Sequence, residues 1–134
     1  MPSQRRKVLI ADDEEGVLIT WRLILERAGY HVIAVSSCAE GLRALANHSP
    51  IDALISDLHM ERQNIGLELA RAALKQNPKP VVMLCTGYAD VSNSRAALDM
   101  HVDYMATKPV ELDELLAALA SLLARRSAAS SGAG

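Results

Sequence analysis

Charge of one sign is what this sequence most plainly lacks. Its 134 residues carry 14 Lys plus Arg against 16 Asp plus Glu, a formal net charge of -2. So even a balance leaves no broad electrostatic footprint for a phosphate backbone, and direct nucleic-acid binding is not expected. Cysteine is sparse as well. Cys38 and Cys85 are the two present, at no metal-ligand spacing, and they read as ordinary reduced thiols. Long hydrophobic runs are missing: the basic start MPSQRRK leads only into the short run VLIA before four acidic residues, too brief for a signal segment or a membrane span. A cytoplasmic protein without membrane contact is the expectation. There is no internal repeat. There is also no glycine- and serine-rich phosphate cradle after the first apolar run. The loop there reads DDEEG, which repels a phosphate unless a cation comes first, and this argues against a flavin- or nucleotide-binding sheet.

What is present is apolar residues, half of the chain, enough for one domain with one well-buried core. They fall in short unbroken runs: KVLIA ending at Ala11, HVIAVS from His31, DALIS from Asp52, PVVMLCT from Pro80 and a weaker DYMATK from Asp103. Unbroken runs of this kind suit strands buried on both faces. Between them lie helical periodicities. Val17, Leu18, Trp21, Leu25 and Ala28 mark a first helix with Gly29 at its C-terminal cap. Ser37 to Glu40 fits a capping box for a second helix. A third is expected from about Gly66 to Gln76, stopped by NPKP, and a fourth over 91–99.

The last helix is expected to open with Pro109 and to close on Arg125 and Arg126. Its band of Leu112, Leu115, Leu116, Leu119, Leu122 and Leu123 is wide enough to suggest a partner or homodimer contact besides core packing. Residues 1–126 read as the domain, and 127–134 (SAASSGAG) as a flexible tail or the start of a linker. Strand then helix, repeated, implies right-handed crossovers and a parallel sheet, whose ligand site lies at the carboxyl ends of the strands.

Those ends carry Asp12 and Asp13, Asp57, Thr86 and Lys108. Singly, each has a bland structural reading: a solvated loop, a strand-end hydroxyl, a helix start. Together they form a chemical set. Converging carboxylates make a hard oxygen site suited to Mg²⁺. Lys108 supplies one positive charge, Thr86 a hydroxyl, and Gly87 an unobstructed backbone N–H. Such an arrangement holds a phosphoryl group on a carboxylate, with Asp57 as the nucleophile.

The segments VLIADDEE, ALISDLHM, VVMLCTGYAD and ATKPVELDELL, in this order over about residues 7 to 125, closely resemble the receiver domain of two-component response regulators, the CheY-like family. That resemblance implies a single flavodoxin-like, doubly wound, five-stranded parallel sheet of order 2-1-3-4-5 with five helices. It implies phosphorylation at Asp57, assisted by Thr86 and Lys108, with a cis bond before Pro109. It further implies Mg²⁺, or Mn²⁺ as a substitute, held by Asp13, Asp57 and the carbonyl of His59, with Asp12 helping through water. The phosphoryl donor would be a sensor histidine kinase or a histidine phosphotransfer protein, and the domain would catalyse its own phosphorylation and slow dephosphorylation. Output would pass through the face of the fourth helix, fifth strand and last helix, from a stand-alone receiver or from one whose tail leads onward.

The chain departs from the family pattern at three places. Glu61 stands where the family usually has proline, with one more residue before Gly66, so a longer or more mobile loop after Asp57 is expected. The switch aromatic's place is taken by Met105, with Tyr104 one residue earlier, and strand alternation could send Tyr104 to the other face. His101 stands where the family often has glycine. The switch residues are thus Thr86 with Tyr104 or Met105, and the side chains of His59 and Tyr88 are expected to modulate phosphoryl lifetime. Two other readings are a degenerate receiver that binds partners without phosphorylation, and a haloacid-dehalogenase-like Mg²⁺ phosphatase. The second needs a DxD motif after the first strand, which this sequence does not supply for Asp57.

Overall fold

Runs of β-branched and aliphatic residues form the strands, and the amphipathic stretches between them form helices, in the order β1 Lys7–Ala11, α1 Glu15–Arg27, β2 His31–Val35, α2 Cys38–Asn47, β3 Ala53–Asp57, α3 Ile65–Leu74, β4 Val81–Thr86, β5 Tyr104–Thr107 and α4 Leu112–Gly132. The computed structural model describes residues 5–87 and 99–132, with side chains as far as Ser127. The fourth helix expected over 91–99 falls, but for Asp99, outside the described residues, as does Tyr88. Every strand pair is parallel and the order is β2-β1-β3-β4-β5, so the sheet is doubly wound and flavodoxin-like. Four helices are seen among the described residues.

Alternation along the strands divides the core between two faces. Leu9, Leu54, Val82 and Leu84 pack with Leu45 of α2 and Leu69 of α3. Val8, Ile10, Ile55 and Met83 pack with Leu25 of α1 and Leu115, Leu119 and Leu123 of α4. β3 and β4 are buried at every position, as strands covered on both sides must be.

Local signals explain the element ends. Gly29, at φ +101°, follows the last turn of α1, and the Tyr30 N–H returns to the Leu25 carbonyl. Ser37 caps α2 by accepting from the Glu40 N–H, while the Glu40 carboxylate accepts from the N–H of Ser36, one residue before the cap. α3 ends at Leu74, ahead of Gln76. The Lys108–Pro109 peptide is cis.

Two expectations for the last helix need correction. It begins at Leu112 and not at Pro109: the Lys108 N–H still donates to the Thr86 carbonyl, and Glu111 is the first carbonyl to accept, from Leu115. It also runs to Gly132, so the backbone of Ser127 to Gly132 is helical where a flexible tail is expected. Alanines in this stretch favour the helix, and the Arg6 guanidinium donates to the Ser127 hydroxyl. Arg126 anchors the same end. It donates to the Asp52 carbonyl and, at 3.2 Å, to Asp52 Oδ1, while Asp52 Oδ2 accepts from the Lys7 N–H.

The leucine band divides between core and surface: Leu112, Leu116 and Leu122 are half-buried. Leu115, Leu119 and Leu123 are buried, and Leu116 and Leu122 pack against the same core. Among the described residues the exposed large hydrophobics are Ile19 and Leu23 of α1 and Leu42 of α2. No helix is long and apolar enough to cross a membrane among the described residues.

Candidate functional site

Buried polar residues are few, and their placement is uneven. Among the described residues they are Asp12, Ser56, Asp57 and Thr86, all at the carboxyl ends of β1, β3 and β4. Register brings them together: Ala11 pairs with Ser56, Asp57 with Cys85, and Thr86 with Thr107, one residue before Lys108. Four sequence segments thereby meet at one edge of the sheet.

Lys108 Nζ lies 2.9 Å from Asp57 Oδ2 and 3.6 Å from Asp12 Oδ2. The other Asp57 oxygen accepts from the His59 N–H at 3.2 Å, and Asp12 Oδ1 accepts from the Glu14 N–H at 2.9 Å. Asp13 is exposed at the rim, and one carboxylate oxygen from each of Asp12, Asp13 and Asp57 lies within 4.8 Å of the others. The Thr86 hydroxyl is buried and without a hydrogen-bond partner. A buried hydroxyl ordinarily finds a partner, so this unpaired one is an exception at the carboxyl end of β4. Behind these residues a cavity of about 30 Å³, room for about one water, is lined by Asp12, Asp57, Lys108, Cys85 and Trp21.

The electrostatics follow from burial and crowding. Desolvation lifts the Asp12 carboxyl above its ordinary range; the Asp57 charge adds to this, and the Glu14 N–H and Lys108 oppose it. Burial works against the charge of Lys108, yet its hydrogen bond to Asp57 and the charges of Asp57 and Asp12 prevail and hold the ammonium above its usual range. Burial also pushes the Cys85 thiol up to about 12, so that sulfur stays protonated and inert beside the acids. Three converging carboxylates with a single lysine between two of them leave repulsion that a small divalent cation would relieve. The donors are all hard oxygens, so the site fits Mg²⁺.

The loop after Asp57 turns inward on itself. His59 Nδ1 accepts from the Asn64 N–H at 2.9 Å, so the imidazole faces its own loop and does not join the carboxylate cluster. Asn64 takes φ +64°, and its side-chain oxygen is buried without a partner. Met60 is buried in the core, and both carboxylate oxygens of Glu61 accept from the Cys38 N–H, at 3.0 and 3.3 Å. Gly66 sits so tightly against the end of β3 that a Cβ there would lie 2.2 Å from the Asp57 carbonyl oxygen and 2.8 Å from Leu58 Cα. Neither Glu61 nor Gly66 was expected to hold the loop. Gly66 is visible only as a lone glycine at a helix start, and Glu61 only as one charge in a polar stretch.

The two candidates for the switch aromatic's place separate. Tyr104 packs with the Val8 and Leu115 side of the core, whereas Met105 packs with the Leu54 and Leu84 side. Thr86, two residues after Leu84, belongs by alternation to the face of Met105. Tyr104 therefore does not share the face of Thr86, whereas Met105 does.

Comparison with known proteins completes the description. Residues 8–120 match the family described as the response regulator receiver domain. The chain is 37% identical over 122 residues to the transcriptional regulatory protein KdpE of Mycobacterium tuberculosis, covering 91% of this chain and 53% of that protein. It is 36% identical over 112 residues to the transcriptional regulatory protein GlrR of Escherichia coli, covering 84% of this chain and 25% of that one. The chain thus spans between a quarter and about half of these relatives. Among solved structures, the CheY-like response regulator receiver domain protein of Methanospirillum hungatei superposes with a TM-score of 0.86 at 29% identity, over 92% of this chain and 98% of that one. The receiver domain protein of Clostridium thermocellum gives 0.82 at 31% identity, over 91% and 97%.

Proposed function

Because the chain belongs to the response regulator receiver domain family of two-component systems, we propose that it is a phosphorylation-driven switch whose acceptor is Asp57. An Asp57 carboxylate oxygen attacks the phosphorus of a phosphohistidine on a sensor kinase or phosphotransfer protein. The new P–O bond forms as the P–N bond breaks, and the imidazole leaves with its electron pair. Lys108, already 2.9 Å from Asp57, neutralises a phosphoryl oxygen, and the unpartnered Thr86 hydroxyl donates to another. Asp12, Asp13 and Asp57, with the His59 carbonyl, would hold Mg²⁺ or Mn²⁺, which supplies charge neutralisation for the developing phosphoryl transfer. The same groups support slow self-catalysed hydrolysis, with the His59 side chain close enough in sequence to influence its rate.

Inward movement of Thr86 would shift the packing of the neighbouring β5 and its surroundings, a change of population and not of fold. Met105, on the face of Thr86, is the residue placed to register it. The observation that carries this reading is the pairing of buried Asp57 with half-buried Lys108 at the strand edge where the Thr86 hydroxyl is buried with no partner.

Incubation with acetyl phosphate and Mg²⁺ should add one labile phosphoryl group by intact mass, absent in Asp57→Asn. An unchanged mass in the wild type would favour a receiver that binds partners without phosphorylation. Such a reading draws on the altered Glu61 loop and on Tyr104 facing away from Thr86.

A further inference from the structure

The loop that leaves Asp57 runs from Leu58 to Asn64 and contains neither proline nor glycine, so no residue in it has a fixed or specially freed backbone angle. Its order comes from contacts. Leu58 and Met60 are anchored in the core, and the Asn64 N–H closes the far end onto His59. Between these anchors Glu61, Arg62 and Gln63 are exposed. Exposed loop side chains normally stay in water, yet Glu61 reaches a different element 23 residues away in sequence and places both oxygens on the first backbone N–H of α2.

Two features of α2 make that contact favourable. The first N–H groups of a helix have no partner within the helix, and a negative charge there meets the positive end of the helix dipole. The helix already has its own cap, because Ser37 Oγ accepts from the Glu40 N–H and Glu40 accepts from Ser36. Glu61 is therefore not required to start α2. Its effect falls on the other partner, the loop.

We propose that Glu61 is a positioning residue that latches the loop carrying His59 onto α2, and so keeps the cation site beside Asp57 in its binding geometry. The carboxylate lies two residues after His59 and four after Asp57, so freeing it leaves this exposed stretch held only by the Arg62 carbonyl, which accepts from the Met60 and Ile65 N–H groups, and by the exposed Arg62–Glu68 pair at 3.8 Å. Cation binding then draws on the closed fraction of the loop, and apparent affinity falls in proportion to that fraction. The inference rests on the cation site of the proposed function, but the latch is a property of the protein before any cation binds.

The test uses the whole chain, ¹⁵N-labelled, and three variants: Glu61→Ala, Glu61→Gln and Ser37→Ala. Without Mg²⁺, Glu61→Ala should speed hydrogen exchange at the Cys38 and Asn64 amides about tenfold, the scale of one lost charge-assisted hydrogen bond. Titration with MgCl₂, followed through amide shifts near Asp57, should give a Kd weaker by about two- to fivefold. Glu61→Gln keeps an acceptor oxygen and should recover part of both effects. Ser37→Ala removes the helix's own cap and should lower thermal stability as much as Glu61→Ala while leaving the Mg²⁺ Kd unchanged.

Unchanged exchange at Asn64 in Glu61→Ala overturns the latch, as does an unaltered Mg²⁺ Kd. Equal weakening by Ser37→Ala also overturns it, by assigning the effect to the helix. If the wild type ignores Mg²⁺ while Glu61→Ala still exchanges faster at Cys38 and Asn64, the latch stands and the cation site of the proposed function fails.

Discussion

Asp12 is held where its charge is disfavoured, because burial and the neighbouring Asp57 lift its carboxyl above the ordinary range. A carboxyl raised by folding contributes stability that is fully present below its unfolded value, near 3.9, and lost as pH rises through the higher folded value. Without divalent cations, stability should therefore rise on acidification from neutral pH toward that window, before other carboxylates reverse the trend. Asp12→Asn keeps an oxygen for the Glu14 N–H and removes the disfavoured charge, so it should stabilise the cation-free protein at pH 7. It should also flatten the acid-side gain and abolish the response to Mg²⁺, all measurable by urea denaturation with and without the ion. Lys108 has a dependence of the same sign in a higher window: its raised value contributes stability that is present at neutral pH and lost only as pH climbs beyond the ordinary lysine range. His101 carries a different cost. It adopts φ +64°, where a side chain is crowded by its own backbone. His101→Gly removes that strain at some cost in chain entropy, and should raise stability by roughly 0.5–1 kcal/mol by the same assay.

At the level of elements, α3 can pack against β3 only because Gly66 has no side chain. A methyl group in Gly66→Ala would collide with backbone and not with a flexible tip, so the start of α3 or the end of β3 must move. Overpacking of this kind should cost about 3 kcal/mol, read by denaturation. It should also slow acetyl phosphate labelling more than a comparable destabilisation elsewhere, because the displaced atom belongs to Asp57. The five strands, the edge at which the acids meet and the cap at Gly29 were legible in the sequence, since each rests on a local signal: an unbroken apolar run, a charge at its end, a glycine after a helical stripe. Gly66 was visible as a residue but not as a contact, because close approach depends on a strand outside its own helix. Glu61 is a similar case, as its partner Cys38 lies far off in sequence. Tyr104 had two faces open to it until its register with Met83 was known. The leucine band of α4 was legible as wider than a narrow core stripe, but not which leucines are buried, because Leu116 and Leu122 only flank the core that Leu115, Leu119 and Leu123 enter.

For the molecule as a whole, binding of a cation at the proposed site would be linked to folding, because the three carboxylates are brought within 4.8 Å of one another by the fold. Mg²⁺ at ten times its Kd should add about 1.4 kcal/mol of stability, seen as a rise in thermal midpoint that Asp13→Asn abolishes. Trp21, the single tryptophan, lines the cavity behind Asp12 and Asp57. Its emission should therefore change on the same titration and remain unchanged in Asp13→Asn. The opposite end of the molecule is engaged too. Arg126 grips Asp52, the residue before β3, and Asp57 closes that strand about 17 Å away. A fully extended strand walled in on both sides has no room to shorten or buckle, so the grip on Asp52 fixes where Asp57 stands at the far end of β3.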